Sequence, residues 1–178
     1  MNISSVIKRI KAGDRSGFAE LVTHYQSPLF GYLGRMGFTQ AAAQDIAQET
    51  FLRAWTNLSD YDPARAAFST WLFTIARNLA LNDIAKKREL AIDDELLNVA
   101  CEGLQPPELL EQMQRQQRVL GALRLLPIQD RSALALAYFQ DLDLASIARI
   151  EGCHVGAIKT RLSRARQRLR QLLENDDA

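Results

Sequence analysis

Ile147-Ala148-Arg149-Ile150-Glu151-Gly152-Cys153-His154-Val155-Gly156-Ala157-Ile158-Lys159-Thr160-Arg161-Leu162 is the stretch that decides the fold. Its small Ala148 suits the point where two helices cross, and Gly152 suits a sharp turn. The β-branched Ile158 can lock a second helix onto the first. Together these are the requirements of a helix-turn-helix. The spacing predicts helices over 144–151 and 155–173, separated by only Gly152, Cys153 and His154. Glu151 departs from the pattern, since it stands where such motifs often carry an apolar residue. The second helix carries Lys159, Arg161, Arg164, Arg166, Arg168 and Arg170 with no acid before Glu174. Ile158, Leu162, Leu169 and Leu172 turn inward. A merely solvated helix mixes acids among its bases, so this outer face is expected to meet phosphates and the major groove.

Upstream, a helix through Met113, Val119, Leu120 and Leu123 is expected to stop at Leu126-Pro127, because proline disfavours helix in the residue before it. Asp130 is then placed to cap a helix over 131–139. Before these lies 91–112, with Gly103, Pro106-Pro107 and a cluster of acids, which together read as a flexible acidic linker. The chain ahead of it again shows apolar residues at three- and four-residue spacings. Phe18, Leu21, Val22, Tyr25, Leu29, Tyr32 and Leu33 form one stripe, capped by Asp14 or Ser16 and ended by Gly37. A second helix over 40–58 turns Ile46, Ala47, Thr50, Phe51, Ala54, Trp55 and Leu58 inward and Asp45, Gln48, Glu49 and Arg53 outward. After Asp60-Tyr61-Asp62-Pro63, a third helix opened by Ser69 or Thr70 runs to Lys86-Lys87-Arg88, with Trp71, Leu72, Ile75, Ala76 and Leu79 inward.

The expected fold is therefore all-α: two small helical domains, 1–90 and 113–178, joined by the linker 91–112, the second holding the helix-turn-helix. At these sizes each core would be only marginally stable by itself. The 178 residues carry a formal net charge of +1, which taken as a sum argues against nucleic acid. By segment the picture reverses. Residues 1–90 hold 11 basic and 8 acidic side chains, 91–112 none and 6, and 113–178 11 and 7, so two positive modules flank a tether of charge −6. No apolar run is long enough to span a bilayer, and the N-terminus carries no leader pattern, so a cytoplasmic protein without membrane insertion is expected. Cys101 and Cys153 make neither a disulfide framework nor a metal clamp. His24 and His154 lack companion groups at a catalytic spacing, so neither an enzyme, a cofactor nor a metal is expected.

Three motifs stand in order along the chain: Asp45-Ile46-Ala47-Gln48-Glu49-Thr50-Phe51-Leu52-Arg53-Ala54-Trp55, Phe68-Ser69-Thr70-Trp71-Leu72-Phe73-Thr74-Ile75-Ala76-Arg77-Asn78, and 155–166. They resemble, in turn, the signature helix, the promoter-melting helix and the recognition helix for the upstream promoter element of bacterial sigma factors of the extracytoplasmic-function type, group IV of the sigma-70 family. The resemblance covers about 18–89 and 111–173 and implies the minimal two-domain form.

The resemblance implies that Asp45, Gln48, Glu49 and Arg53 dock on the β′ clamp helices of core RNA polymerase, with the β subunit as a further contact. It implies that Asn78, Asn82 and Asp83 lie at or beside the face that meets the non-template strand of the −10 element, with Lys86, Lys87 and Arg88 on its phosphates. Loop 57–67, with Tyr61 at its tip, resembles the family's pocket for a captured base. For the −35 element, Thr160, Ser163 and Arg164 would read base edges and Lys159, Arg161 and Arg168 would hold phosphates. Ala157 stands where the family usually has a hydroxyl residue. On this resemblance the isolated protein should bind duplex promoter DNA poorly and bind it well only with core polymerase, and such proteins are usually held inactive by an anti-sigma partner. The alternative is a helix-turn-helix regulator that never touches polymerase; it leaves the motifs of the first module unused.

Overall fold

A computed structural model describes residues 1–89, 107–139 and 142–176. Among them every regular element is helical: α1 (Ile3–Lys11), α2 (Ser16–Arg35), α3 (Gln40–Thr56), a 3₁₀ turn (Leu58–Asp60), α4 (Phe68–Glu89), α5 (Pro107–Arg124), α6 (Ile128–Phe139), α7 (Leu144–Glu151) and α8 (Val155–Asp176). The linker reading, 91–112, lies outside the described residues as far as 106, and its last six positions belong to α5 instead. Proline suits the start of α5, because the N–H it lacks is one that a first helical turn leaves unbonded anyway.

Helix ends follow local chemistry. Asp143 caps α7, its carboxylate accepting the Ser146 N–H at 2.7 Å, an interaction that holds the carboxyl below its ordinary pKa. Gly152 ends α7 at φ 66°, a left-handed conformation in which other side chains are strained. Asp14 serves α2, accepting the Ser16 N–H at 3.0 Å. At α6 the expectation fails. The Pro127 carbonyl takes the first N–H groups, from Asp130 at 2.9 Å and Arg131 at 3.0 Å, so the helix starts earlier and Asp130 lies inside its first turn.

The nine-residue α1 has no counterpart among the helices expected from the apolar spacing. It is capped by Asn2, whose side chain accepts the Ser5 N–H at 3.1 Å, and it buries Val6, Ile7 and Ile10 against α2. The approach is close at Gly17, where a Cβ would stand 2.9 Å from an Ile10 side-chain carbon.

Two separate small cores were expected; the buried residues instead form one continuous core. The reason is that α6 packs on α2 and α7 packs on α4, so the second module is laid across the first. Tyr32 and Phe73, both fully buried, meet edge-on with ring centroids 5.5 Å apart beneath this seam. Trp55, expected inward, is 38% exposed and rests its ring on Phe18 at 4.9 Å.

Candidate nucleic-acid interface

Helix α8 is fixed from beneath by Ile158, Leu162 and Ala165, each buried against the rest of the helix-turn-helix. That rotation leaves Lys159, Thr160, Ser163 and Arg164 exposed side by side. Where Ala157 offers no hydroxyl, the cap comes from the turn: the His154 imidazole accepts the Ala157 N–H through Nδ1 at 3.0 Å. His154, Thr160, Arg164 and Arg168 line one shallow polar concavity beside the start of α8, together with Asp130.

The cations of α8 are not equivalent. Arg161, expected on a phosphate, is committed to Glu151 at 3.1 Å and is only partly accessible. Arg168 meets Asp130 at 3.0 Å, and Arg170 meets Glu174 at 2.9 Å. Arg166 turns back along its own helix, its Nε donating to the Leu162 carbonyl at 3.2 Å while the guanidinium lies over the Tyr138 ring. Lys159 and Arg164 point outward with no such partner among the described residues. The apparent lack of acid along α8 is thus offset from α6 and α7, a pairing no local pattern reveals.

In the first module, Ile46, Ala47, Thr50 and Ala54 are buried, and the Thr50 hydroxyl is satisfied by the Ile46 carbonyl at 2.7 Å. Asp45, Gln48 and Arg53 are exposed and Glu49 partly so, with Arg53 joined to Glu49 at 2.6 Å. The structure brings this polar face together with part of α4, since Asp45, Glu49 and Arg53 share a cleft with Asn82, Asp83 and Lys86. Asn78, Asn82, Lys86, Lys87 and Arg88 are exposed along α4, and Asp83 lies 3.3 Å from the Lys87 ammonium. Asn78 does not line the cleft and stands one turn before Asn82 on the helix. Phe73 is buried in the core.

The loop after α3 is well bonded. Tyr61 is not at an exposed tip: it is buried among Phe68 and Trp71, and its hydroxyl donates to the Ala66 carbonyl at 3.0 Å. Lys11 of α1 donates to the carbonyls of Ser59 at 3.2 Å and Tyr61 at 2.7 Å. The Asp62 carboxylate accepts the Ala64 N–H at 2.9 Å.

Two family models match separate stretches of the chain. The family model described as Sigma-70 region 2 matches residues 21–89, and that of Sigma-70, region 4 matches residues 116–169. The ECF RNA polymerase sigma factor SigW of Bacillus subtilis is 32% identical over 185 residues, covering 98% of this chain and 98% of its own. The ECF RNA polymerase sigma factor RpoE of Cereibacter sphaeroides is 33% identical over 158 residues, 89% of this chain and 87% of its own. Among solved structures, the sigma factor RpoE from Bartonella quintana, in complex with the anti-sigma factor NepR, is 27% identical with a TM-score of 0.70, over 88% of this chain and 96% of that one. CnrH, in complex with the cytosolic domain of CnrY, shares the fold at a TM-score of 0.73 and 24% identity, over 96% of each chain.

Proposed function

The chain belongs to the extracytoplasmic-function RNA polymerase sigma factors of the sigma-70 family, and from that premise we propose how its residues divide the work. It is a transcription initiation factor and not an enzyme: it binds core RNA polymerase, directs it to promoters, and is regulated by an anti-sigma factor. Residues 1–90 take polymerase and the −10 element, and 113–178 take the −35 element. Asp45, Gln48, Glu49 and Arg53 form charge-assisted hydrogen bonds with the β′ clamp helices. Asn78 and Asn82, with Asp83 beside them, meet the non-template strand of the −10 element. Lys86, Lys87 and Arg88 neutralise its phosphates, as holding an opened single strand requires.

On α8, Thr160, Ser163 and Arg164 read base edges of the −35 element and Lys159 holds a phosphate. Arg161 and Arg168 join it only when they leave Glu151 and Asp130. The observation that carries this reading is the rotation of α8, which buries Ile158, Leu162 and Ala165 while exposing Lys159, Thr160, Ser163 and Arg164 together. No helix among the described residues is long and apolar enough to cross a membrane, and we place the protein in the cytoplasm, where its template lies.

Transcription with purified core polymerase on a library of random promoters tests the reading and returns the promoter sequence. Arg164→Ala should shift the preferred base at one −35 position while sparing the rest; equal losses on every template would refute base readout by that residue. Charge reversal at Asp45 and Glu49 together should abolish co-purification with core, and undiminished co-purification would remove the clamp assignment.

A further inference from the structure

One buried carboxylate has no part in those interfaces. Glu151, at the end of α7, is fully enclosed. The guanidinium of Arg77 on α4 lies 3.1 Å from its Oε2, and that of Arg161 on α8 lies 3.1 Å from the same oxygen. Its other oxygen accepts a hydrogen bond from the Ser132 hydroxyl of α6. Ser132 in turn lies 2.8 Å from the Tyr32 hydroxyl of α2. Since Ser132 spends its proton on Glu151, Tyr32 donates to Ser132. The network therefore crosses between the modules twice, through Arg77 and through Tyr32. Around it, Arg131 of α6 donates to the Met36 carbonyl at 2.8 Å, and Arg149 of α7 to the Arg65 carbonyl.

An apolar residue at this position of a helix-turn-helix packs within its own module. A buried carboxylate needs compensating cations, and here one of the two comes from across the seam. If Arg77 withdraws, Glu151 keeps Arg161 and Ser132, so the second module remains satisfied when it stands apart.

The sigma-factor reading makes such parting necessary. Elements at −10 and −35 lie about 25 base pairs apart, or about 85 Å along the duplex at roughly 3.4 Å per base pair. A compact chain of this length has a radius of gyration of about 16 Å and a diameter of about 40 Å. With α7 packed on α4, Asn78 and Arg164 cannot stand at both elements at once. The step from Glu89 to Pro107 can reach about 60 Å when extended, which is enough to let the modules separate.

Resting on that reading, we propose that Glu151 and Arg77, supported by Ser132 and Tyr32, form an internal latch that holds the protein closed and that polymerase binding must break. Only the opened fraction is competent, so apparent affinity for core is reduced by that fraction.

The test compares full-length wild type with Arg77→Ala, Arg77→Lys and Glu151→Leu by small-angle X-ray scattering and by titration of core polymerase. Glu151→Leu supplies the usual apolar residue and guards against a variant that fails to fold. Wild type and Arg77→Lys should scatter as closed particles with a radius of gyration near 16 Å. Arg77→Ala and Glu151→Leu should exceed about 22 Å with unchanged helicity, and should bind core about tenfold more tightly. An extended wild type, a compact Arg77→Ala, or an extended variant with unchanged core affinity would each overturn the latch. Failure of every protein, wild type included, to bind core would instead overturn the sigma-factor reading, while the scattering still reports on the contact.

Discussion

The salt dependence of duplex binding separates the charge pattern of α8 from its charge pairing. Six cations engaged on phosphates would give log K against log salt a slope of about −5.4, at roughly −0.9 per phosphate neutralised. In the structure Arg161, Arg168 and Arg170 are held by Glu151, Asp130 and Glu174, and Arg166 is folded onto its own helix. Lys159 and Arg164 remain, and even with Arg164 counted at full weight beside its base edge the slope should be no steeper than about −1.8. Raising salt from about 50 to 200 mM should therefore weaken binding by no more than about 12-fold, against about 1,800-fold for six contacts. Fluorescence anisotropy on a labelled −35 duplex measures this, with Lys86, Lys87 and Arg88 changed to Gln so that the second module alone sets the slope. Asp130→Asn should free Arg168 and steepen the slope by about 0.9. A background slope near −5 would show that the pairs yield to phosphate, and an unchanged slope in Asp130→Asn would show that Arg168 is not restrained by them.

Two further outcomes follow from single positions. Gly152→Ala meets open space around the new Cβ, so its cost is purely that of the left-handed backbone, about 1 kcal/mol. That lowers the urea midpoint by about 0.5 M at an m-value of roughly 2 kcal/mol/M, with a smaller loss for Gly152→Asn; an unmoved midpoint would remove the strain argument. The phenol of Tyr32 is pushed well above its ordinary pKa of 10.0, first by burial. Its folded pKa being the higher, the stability it contributes is full below about pH 10 and is lost as pH rises through the folded value. Tyr32→Phe should therefore flatten the decline in melting temperature above pH 10, and an unaltered decline would exclude Tyr32 as its source.

The helices were legible because their signals are local. Asp143, Gly152 and the apolar spacing between them place α7 to the residue. The Asn2 cap and the trio Val6, Ile7 and Ile10 were equally local, and α1 could have been read from them. Periodicity says which face is buried but not against what, and there the sequence reading stops. Asp130 looked like a cap because it precedes a run of helix formers, yet it serves Arg168, 38 positions away. Glu151 announced itself only as a misfit in an apolar position; its partner Arg77 looks like any surface cation on α4 until the second module is laid over it. The same limit explains the two expected cores, since the seam between α2 and α6 joins stretches about a hundred residues apart.

The loop between α3 and α4 is finished before it meets anything. Lys11 grips two of its carbonyls, Tyr61 is sunk beneath it, and Asp62 and Ala66 close its remaining bonds. A loop already ordered has little conformational entropy left to surrender on contact. A partner meeting this loop would therefore be sorted by shape at the moment of encounter, and α1, through Lys11, would help to set that shape.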